Sequence, residues 1–148
     1  MSSQGLQQGV ASGSGPEARF WAFLRDGKFM IQRALKSGNY VFYPRTMEPE
    51  SGDTDLEWVE VSGKGKVYTT TVVHRQEKYG GHYNLAIIEL DEGPRMMCRV
   101  EGCPPDSVTI GMDVAARVEV PTFGPYKGSD QPVVVFYPAN PQDSQQQP

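Results

Sequence analysis

Val67-Tyr68-Thr69-Thr70-Thr71-Val72-Val73-His74 is dominated by β-branched and aromatic side chains. Such residues suit a pleated, half-buried surface and lose rotamer freedom in a helix, so the stretch predicts a strand. Working outward, Trp58-Val59-Glu60-Val61 predicts a short strand upstream, ended by Ser62-Gly63-Lys64-Gly65, whose glycines suit a turn or bulge. Downstream, residues 75–82 contain Gly80-Gly81 and read as a loop into a strand over 83–90. Asp91-Glu92-Gly93-Pro94 is a turn, and residues 95–100 return as the next strand. Pro104-Pro105-Asp106 opens a connection in which Asp106 or Ser107 can cap a single helical turn. Residues 113–120 and Val133-Val134-Val135-Phe136-Tyr137 supply the last strands, on either side of a Pro- and Gly-rich excursion over 121–132. Five or six short strands with compact turns suit a small closed β architecture, because closure removes exposed edges. The expectation is a mainly β fold, a five- to six-stranded OB-fold barrel over residues 56–138.

Before residue 56 the period is helical. Residues 1–15 are rich in Ser, Gly and Gln and carry too few apolar groups to offset the entropy of ordering. They are expected to be disordered, as is the Gln-rich tail 139–148. Pro16 and Glu17 make a helix start, and Phe20, Phe23 and Leu24 share one helical face with Trp21 beside them. A second helix is expected over 29–36, anchored by Phe29, Ile31 and Leu35 and ended by Gly38. Two readings of Phe20, Trp21, Phe23 and Leu24 stand side by side: packing against the barrel, or an exposed surface for a partner.

Between helix and barrel, Ala34-Leu35-Lys36-Ser37-Gly38 and Glu48-Pro49-Glu50-Ser51-Gly52 repeat the rhythm of two C-x-x-C-G turns around a short arm, Tyr43-Pro44-Arg45. Ala34, Ser37, Glu48 and Ser51 stand in the four ligand places. Structural zinc needs about four thiolate or imidazole donors in a closed shell. One carboxylate and two hydroxyls cannot supply that, so no zinc is expected. Residues 16–55 thus read as a helical segment and a degenerate, metal-free zinc ribbon.

The 148 residues fit one compact domain or a barrel with a small annex. The chain has no long apolar run, and Met1-Ser2-Ser3-Gln4-Gly5 lacks the features of a secretory signal, which leads to the expectation of a soluble, cytoplasmic protein that meets no membrane. Cys98 and Cys103 are too few and too oddly spaced for a disulfide framework or a metal site. With 18 acidic against 14 basic residues and a net charge of -4, the composition argues against gripping a long phosphate backbone.

Candidate chemistry is sparse. His74 and His82 are the groups that titrate near neutrality and could face each other across a loop mouth. They would have to serve any stand-alone hydratase or thioesterase. Glu89 and Asp91 share one strand face but lead into a turn, where carboxylates are solvated. No nucleophile elbow, phosphate-binding loop, dinucleotide fingerprint or metalloprotease motif is present. OB barrels stack bases on aromatics, and Tyr68, Tyr83, Phe123, Tyr126, Phe136 and Tyr137 could contribute. That leaves a single-stranded nucleic-acid binder as the alternative reading. The same physics suits one phosphorylated adenine nucleotide, such as the head of coenzyme A, for which a few cations suffice.

Phe20-Trp21-Ala22-Phe23-Leu24, Ile31-Gln32-Arg33, Asp55-Leu56-Glu57-Trp58, Ser62-Gly63-Lys64-Gly65-Lys66-Val67-Tyr68 and Glu89-Leu90-Asp91-Glu92-Gly93-Pro94-Arg95, in that order, resemble the DUF35 family. The likeness runs from about residue 17 to 138. It implies an N-terminal helical segment, a zinc ribbon and a C-terminal OB-fold; the missing cysteines depart from that pattern. It also implies a non-catalytic partner of a thiolase-like or related acyl-CoA enzyme that bridges subunits or helps bind a CoA thioester, and a homo-oligomer is compatible with it. No motif fixes the CoA contacts. Charge and position nominate Arg45 on the arm, Lys64 and Lys66 around Gly65, and His74 with Arg75, while Phe20, Trp21, Phe23 and Leu24 would dock the partner.

Overall fold

The computed structural model describes residues 15–123 and 128–139. The expected disorder of 1–15 and 139–148 and the place of Tyr126 therefore fall almost wholly outside the described residues. Helix α1 (Pro16–Arg25) has Pro16 in its first turn, where no N–H is needed, Glu17 at the positive end of its dipole and Arg25 at the negative end. Phe20 and Leu24, one turn apart, are buried, at 7% and 1% exposure. These two residues belong to the core, which corrects their assignment to a partner-binding surface. Trp21 and Phe23 stay half-buried, and Phe23 packs on Trp58 with ring centroids 5.2 Å apart.

The second helix expected over 29–36 is instead strand β1 (Met30–Ala34). An eight-residue helix is marginal in water, whereas β1 finds a full antiparallel partner in β3 (Leu56–Glu60), with Ile31 opposite Val59 and Ala34 opposite Leu56. Phe29 and Ile31, two apart, point into the core, and Leu35, offered as a helix anchor, is 58% exposed. On its other edge β1 pairs with β2 (Tyr40–Val41), completing a three-stranded sheet ordered β2-β1-β3. The buried Gln32 side chain clamps the arm that follows, donating from Nε2 to the Arg45 carbonyl and accepting the Arg45 N–H at Oε1, each at 2.7 Å.

The second sheet is ordered β6-β5-β4-β7-β8, with β4 (Lys64–Val73), β5 (Tyr83–Leu90), β6 (Arg95–Cys98), β7 (Asp113–Glu119) and β8 (Val133–Pro138). β4 is long enough to pair with β5 along its length and with β7 over its first residues, and it shifts register between Val67 and Thr69, where the sheet bends. A parallel bridge from Val100 to Phe136 closes the barrel, through Glu101 N–H to Phe136 O at 2.8 Å and Phe136 N–H to Arg99 O at 3.1 Å. Five strands in this order, closed in parallel, form the expected OB-fold. A 3-10 turn (Pro105–Ser107) stands where the helical turn is expected, but Asp106 and Ser107 lie within it and no side chain caps it.

One core serves barrel and annex, since Phe20, Leu24, Phe29 and Ile31 cluster with Val67, Ile88, Val114 and Phe136. Arg25 Nη1 adds a polar tie, donating to Gln131 Oε1 at 2.7 Å. Lys64 and Lys66 lie on β4 and not in a turn; the turn is Ser62-Gly63, with Gly63 at φ 79°. Gly65 is there for closeness, because a Cβ would sit 2.6 Å from Glu89 O and 2.9 Å from Ile88 Cγ2. Gly65→Ala is accordingly expected to destabilise by about 1–3 kcal/mol through forced backbone displacement, read as a lower urea midpoint; an unchanged midpoint would contradict that packing. Among the described residues no helix is long and apolar enough to cross a membrane.

Candidate functional site

The long strand β4 runs out into residues 74–82, which together with the start of β5, the segment after β6 and Thr122-Phe123 enclose a cavity of about 780 Å³ at the barrel mouth. Arg75, Lys78 and Arg99 line it against a single carboxylate, Glu101. A short 3-10 turn (Glu77–Tyr79) lifts Lys78 and Tyr79 to the rim and is ended by Gly80 at φ 109°, a left-handed conformation that glycine adopts without steric cost. Tyr79 is 60% exposed there. The Arg75 N–H donates to His82 Nδ1 at 3.1 Å, which places the proton of a neutral ring on Nε2. His74 meets His82 edge-on, with ring centroids 4.6 Å apart.

Arg99 is the most constrained cation. Its guanidinium lies 3.7 Å from the Tyr83 ring centroid and 3.8 Å from that of Phe123, and its Nη1 meets Glu101 Oε2 at 3.4 Å. Beneath the cavity the buried Asn84 donates from Nδ2 to Thr70 Oγ1 at 2.8 Å and to the Thr71 and Pro105 carbonyls at 3.2 Å each. Its Oδ1 meets no hydrogen-bond partner among the described residues. The floor is thereby pinned to β4 and to the turn after β6.

The nominated CoA contacts do not converge. Arg75 lines the mouth and His74 stands beside it through His82. Lys64 and Lys66 lie at the other end of β4, on the order of 25–30 Å away at the rise of a strand, and Lys66 pairs with Asp113, which raises its pKa. Arg45 sits on the ribbon arm beside a different depression. Lys78 and Arg99 also line the mouth, though the sequence did not nominate them; Arg99 follows β6 with no local signal around it. Of the stacking candidates, Tyr83 and Phe123 reach the mouth, Phe136 is 0% exposed in the core, and Tyr68 lies under Arg95.

That other depression is an apolar trough of about 520 Å³ between α1, the arm, β6 and β8. Trp21, Phe42, Tyr43, Met97 and Val134 line it, with Arg45 and Arg95 at its margins. Tyr43 and Met97 are 67% and 65% exposed. Cys98 also faces it, where burial pushes the thiol up to about 12 and its Sγ donates to the Val134 carbonyl at 3.0 Å, so it stays protonated.

In the ribbon three of the four ligand places, Ser37, Glu48 and Ser51, hold a hydrogen-bonded cluster. Gly38 and Gly52, at φ 79° and 75°, end two matching turns in which Gly38 N–H donates to Ala34 O and Gly52 N–H to Glu48 O, each at 2.8 Å. The Ser37 hydroxyl donates to Glu48 Oε1 at 3.2 Å, the Ser51 hydroxyl donates to the same oxygen, and Glu50 N–H takes Oε2 at 3.2 Å. Asp53 links the turns, accepting Lys36 N–H at Oδ2 and Asp55 N–H at Oδ1, at 3.0 and 2.9 Å. These residues do not fit zinc: the donor set is too hard and too few, and its oxygens already satisfy one another. Among the described residues no group of three or more His, Cys, Asp or Glu is placed to hold a metal ion.

The hydrogen bond from Ser51, with those from Glu50 N–H and Ser37, holds the Glu48 carboxyl below its ordinary 4.5 despite burial, and the Asp55 and Lys36 N–H groups hold Asp53 below 3.8. A carboxyl whose folded pKa is depressed contributes its full stability above the unfolded value and loses it as pH falls through the folded one. The ribbon is therefore expected to weaken below about pH 4.5. Urea midpoints of the wild type and Glu48→Gln should converge as the pH falls; a gap that stays constant from neutral to acid pH would contradict this role for Glu48.

Comparison with known proteins places these features. A family model described as the C-terminal OB-fold domain of ChsH2 matches residues 58–119. The chain is 38% identical over 103 residues to a DUF35 domain-containing scaffold protein of Methanocaldococcus jannaschii, covering 66% of this chain and 73% of that one. It is 31% identical over 100 residues to a scaffold protein of the same description from Pyrococcus furiosus, covering 66% and 74%. A 3-oxo-4,17-pregnadiene-20-carboxyl-CoA hydratase alpha subunit of Mycobacterium tuberculosis is 32% identical over 119 residues, with 78% of this chain matching only 38% of that subunit. Among solved structures, one described as an Ltp2-ChsH2 (DUF35) aldolase superposes with a TM-score of 0.72 at 27% identity, over 84% of this chain and 95% of that one.

Proposed function

The chain belongs to the DUF35 family, and from that premise we propose that it is a non-catalytic accessory subunit that docks onto a thiolase-superfamily or related acyl-CoA enzyme and engages the CoA thioester with its barrel. The observation that carries the docking half is the trough, where Tyr43 and Met97 lie largely exposed beside Trp21, Phe42 and Val134. Aromatic and methionine side chains with arginines at the margin are the composition of an interface core and its rim. The relatives supply the class of partner, since they are described as scaffold proteins, a CoA hydratase subunit and part of an aldolase. Phe20 and Leu24 support the trough from beneath, and Trp21 is the docking residue of α1 that reaches it.

Affinity purification of the intact protein from its native cell, with the captured proteins identified by mass spectrometry, tests this reading. The expected result is an acyl-CoA enzyme recovered with the wild type and lost with Tyr43→Asp combined with Met97→Asp. Recovery of no acyl-CoA enzyme would overturn it.

A further inference from the structure

We propose that the mouth cavity holds the phosphorylated adenosine head of a CoA thioester, with Arg75, Lys78 and Arg99 meeting its phosphates. The identity of the ligand rests on the accessory-subunit reading above; the site itself rests on charge, geometry and size. The chain carries a net charge of -4, yet its mouth gathers three cations against one carboxylate. Glu101 is engaged with Arg99. Among the described residues no carboxylate stands within ion-pair distance of Arg75 or Lys78.

Tyr83 and Phe123 both lie against the Arg99 guanidinium and hold it in place at the mouth. Of its in-plane N–H groups, which are the ones that match a phosphate, Nη1 meets Glu101 at 3.4 Å. Arg75 leans over the same Tyr83 ring, 5.7 Å from its centroid, so one aromatic side chain positions two of the cations. At the rim Lys78 Nζ lies 5.1 Å from the Tyr79 ring centroid, and the ring, 60% exposed, still offers surface to a base, whose stacking needs no sequence-specific hydrogen bonds. A cavity of about 780 Å³ has the size of a small-molecule site. The same observations disfavour a nucleic-acid strand, which wants a continuous basic track, because Lys64 and Lys66 lie at the far end of β4 and Lys66 is paired with Asp113. Anchoring the head here leaves the reactive thioester to the partner enzyme.

Titration calorimetry of the intact protein with coenzyme A, and separately with adenosine 3′,5′-bisphosphate, tests the site. Both probes should bind the wild type, and binding should weaken with salt. Arg75→Ala combined with Lys78→Ala changes two exposed residues and should reduce affinity about tenfold or more, with the melting temperature and the capture of the acyl-CoA enzyme unchanged. Equal affinity in wild type and variant would overturn the site. So would an oligothymidylate that binds more tightly than either probe. If neither probe binds while the enzyme is still captured, this proposal falls and the accessory-subunit reading stands; loss of both would sink both.

Discussion

Ala34→Cys, Ser37→Cys, Glu48→Cys and Ser51→Cys, made together, are expected to turn the ribbon into a metal-dependent unit that takes up one zinc ion per chain. The two turns already have the required form, with left-handed Gly38 and Gly52 and a hydrogen bond from each glycine to the first ligand position. Backbone N–H groups already point at the side chains concerned, Asn39 at Ser37 Oγ and Asp53 at Ser51 Oγ, at 3.2 and 3.1 Å. What is missing is a donor set soft enough to close a tetrahedral shell. Structural zinc sites bind with apparent free energies of about 10–16 kcal/mol in small peptides, so even partial coupling to folding should move the melting temperature far. The variant should melt above the wild type with zinc and below it with a chelator, because the metal-free form has lost the Glu48 hydrogen bonds. Wild type should respond to neither. Elemental analysis with scanning fluorimetry decides it, and a chelator-sensitive wild type would show that the carboxylate cluster is not what holds this segment.

Phe136→Ala is expected to lower the unfolding free energy by about 3–5 kcal/mol. The side chain is 0% exposed in the shared core, and the backbone of the same residue closes the barrel by bonding Arg99 and Glu101. A cavity at this point loosens both the core and the seam. Because Arg99 and Glu101 line the mouth, the variant should also bind adenosine 3′,5′-bisphosphate more weakly at temperatures where it remains folded, whereas Gly65→Ala, at the other end of β4, should leave that binding alone. Urea unfolding followed by tryptophan fluorescence measures the first effect; a change below about 1 kcal/mol would mean that the seam does not depend on Phe136.

The barrel was legible in the sequence because its strands carry β-branched residues between glycine and proline turns, and residues 83–90 keep the same limits in the structure as β5. Where local pattern admitted two answers, a distant partner decided. Phe29, Ile31 and Leu35 fit a short helix or a strand equally, and only β3, some 25 residues on, makes the strand the better answer. Gly65 between two lysines reads as a turn, yet it is a close-approach glycine in the middle of a sheet, and the lysines lie on a strand. The candidate site was less legible still. Arg75 and Lys78 come from one loop, Arg99 from just after β6 and Phe123 from after β7, and only barrel closure brings them to one mouth. The absence of cysteines from the ribbon was plain from its residue types; the hydrogen-bonded cluster of Glu48, Ser37 and Ser51 at those places needed coordinates.

The central claim, a subunit that serves an acyl-CoA enzyme without catalysing, is tested most directly by turnover measured with the captured enzyme alone, with this chain alone, and with the two copurified as one complex of defined mass. The account predicts no acyl-CoA turnover by this chain, a stable complex, and faster turnover or a lower KM in the complex than in the enzyme alone. Turnover by the isolated chain, or an enzyme that neither binds it nor responds to it, would contradict the account.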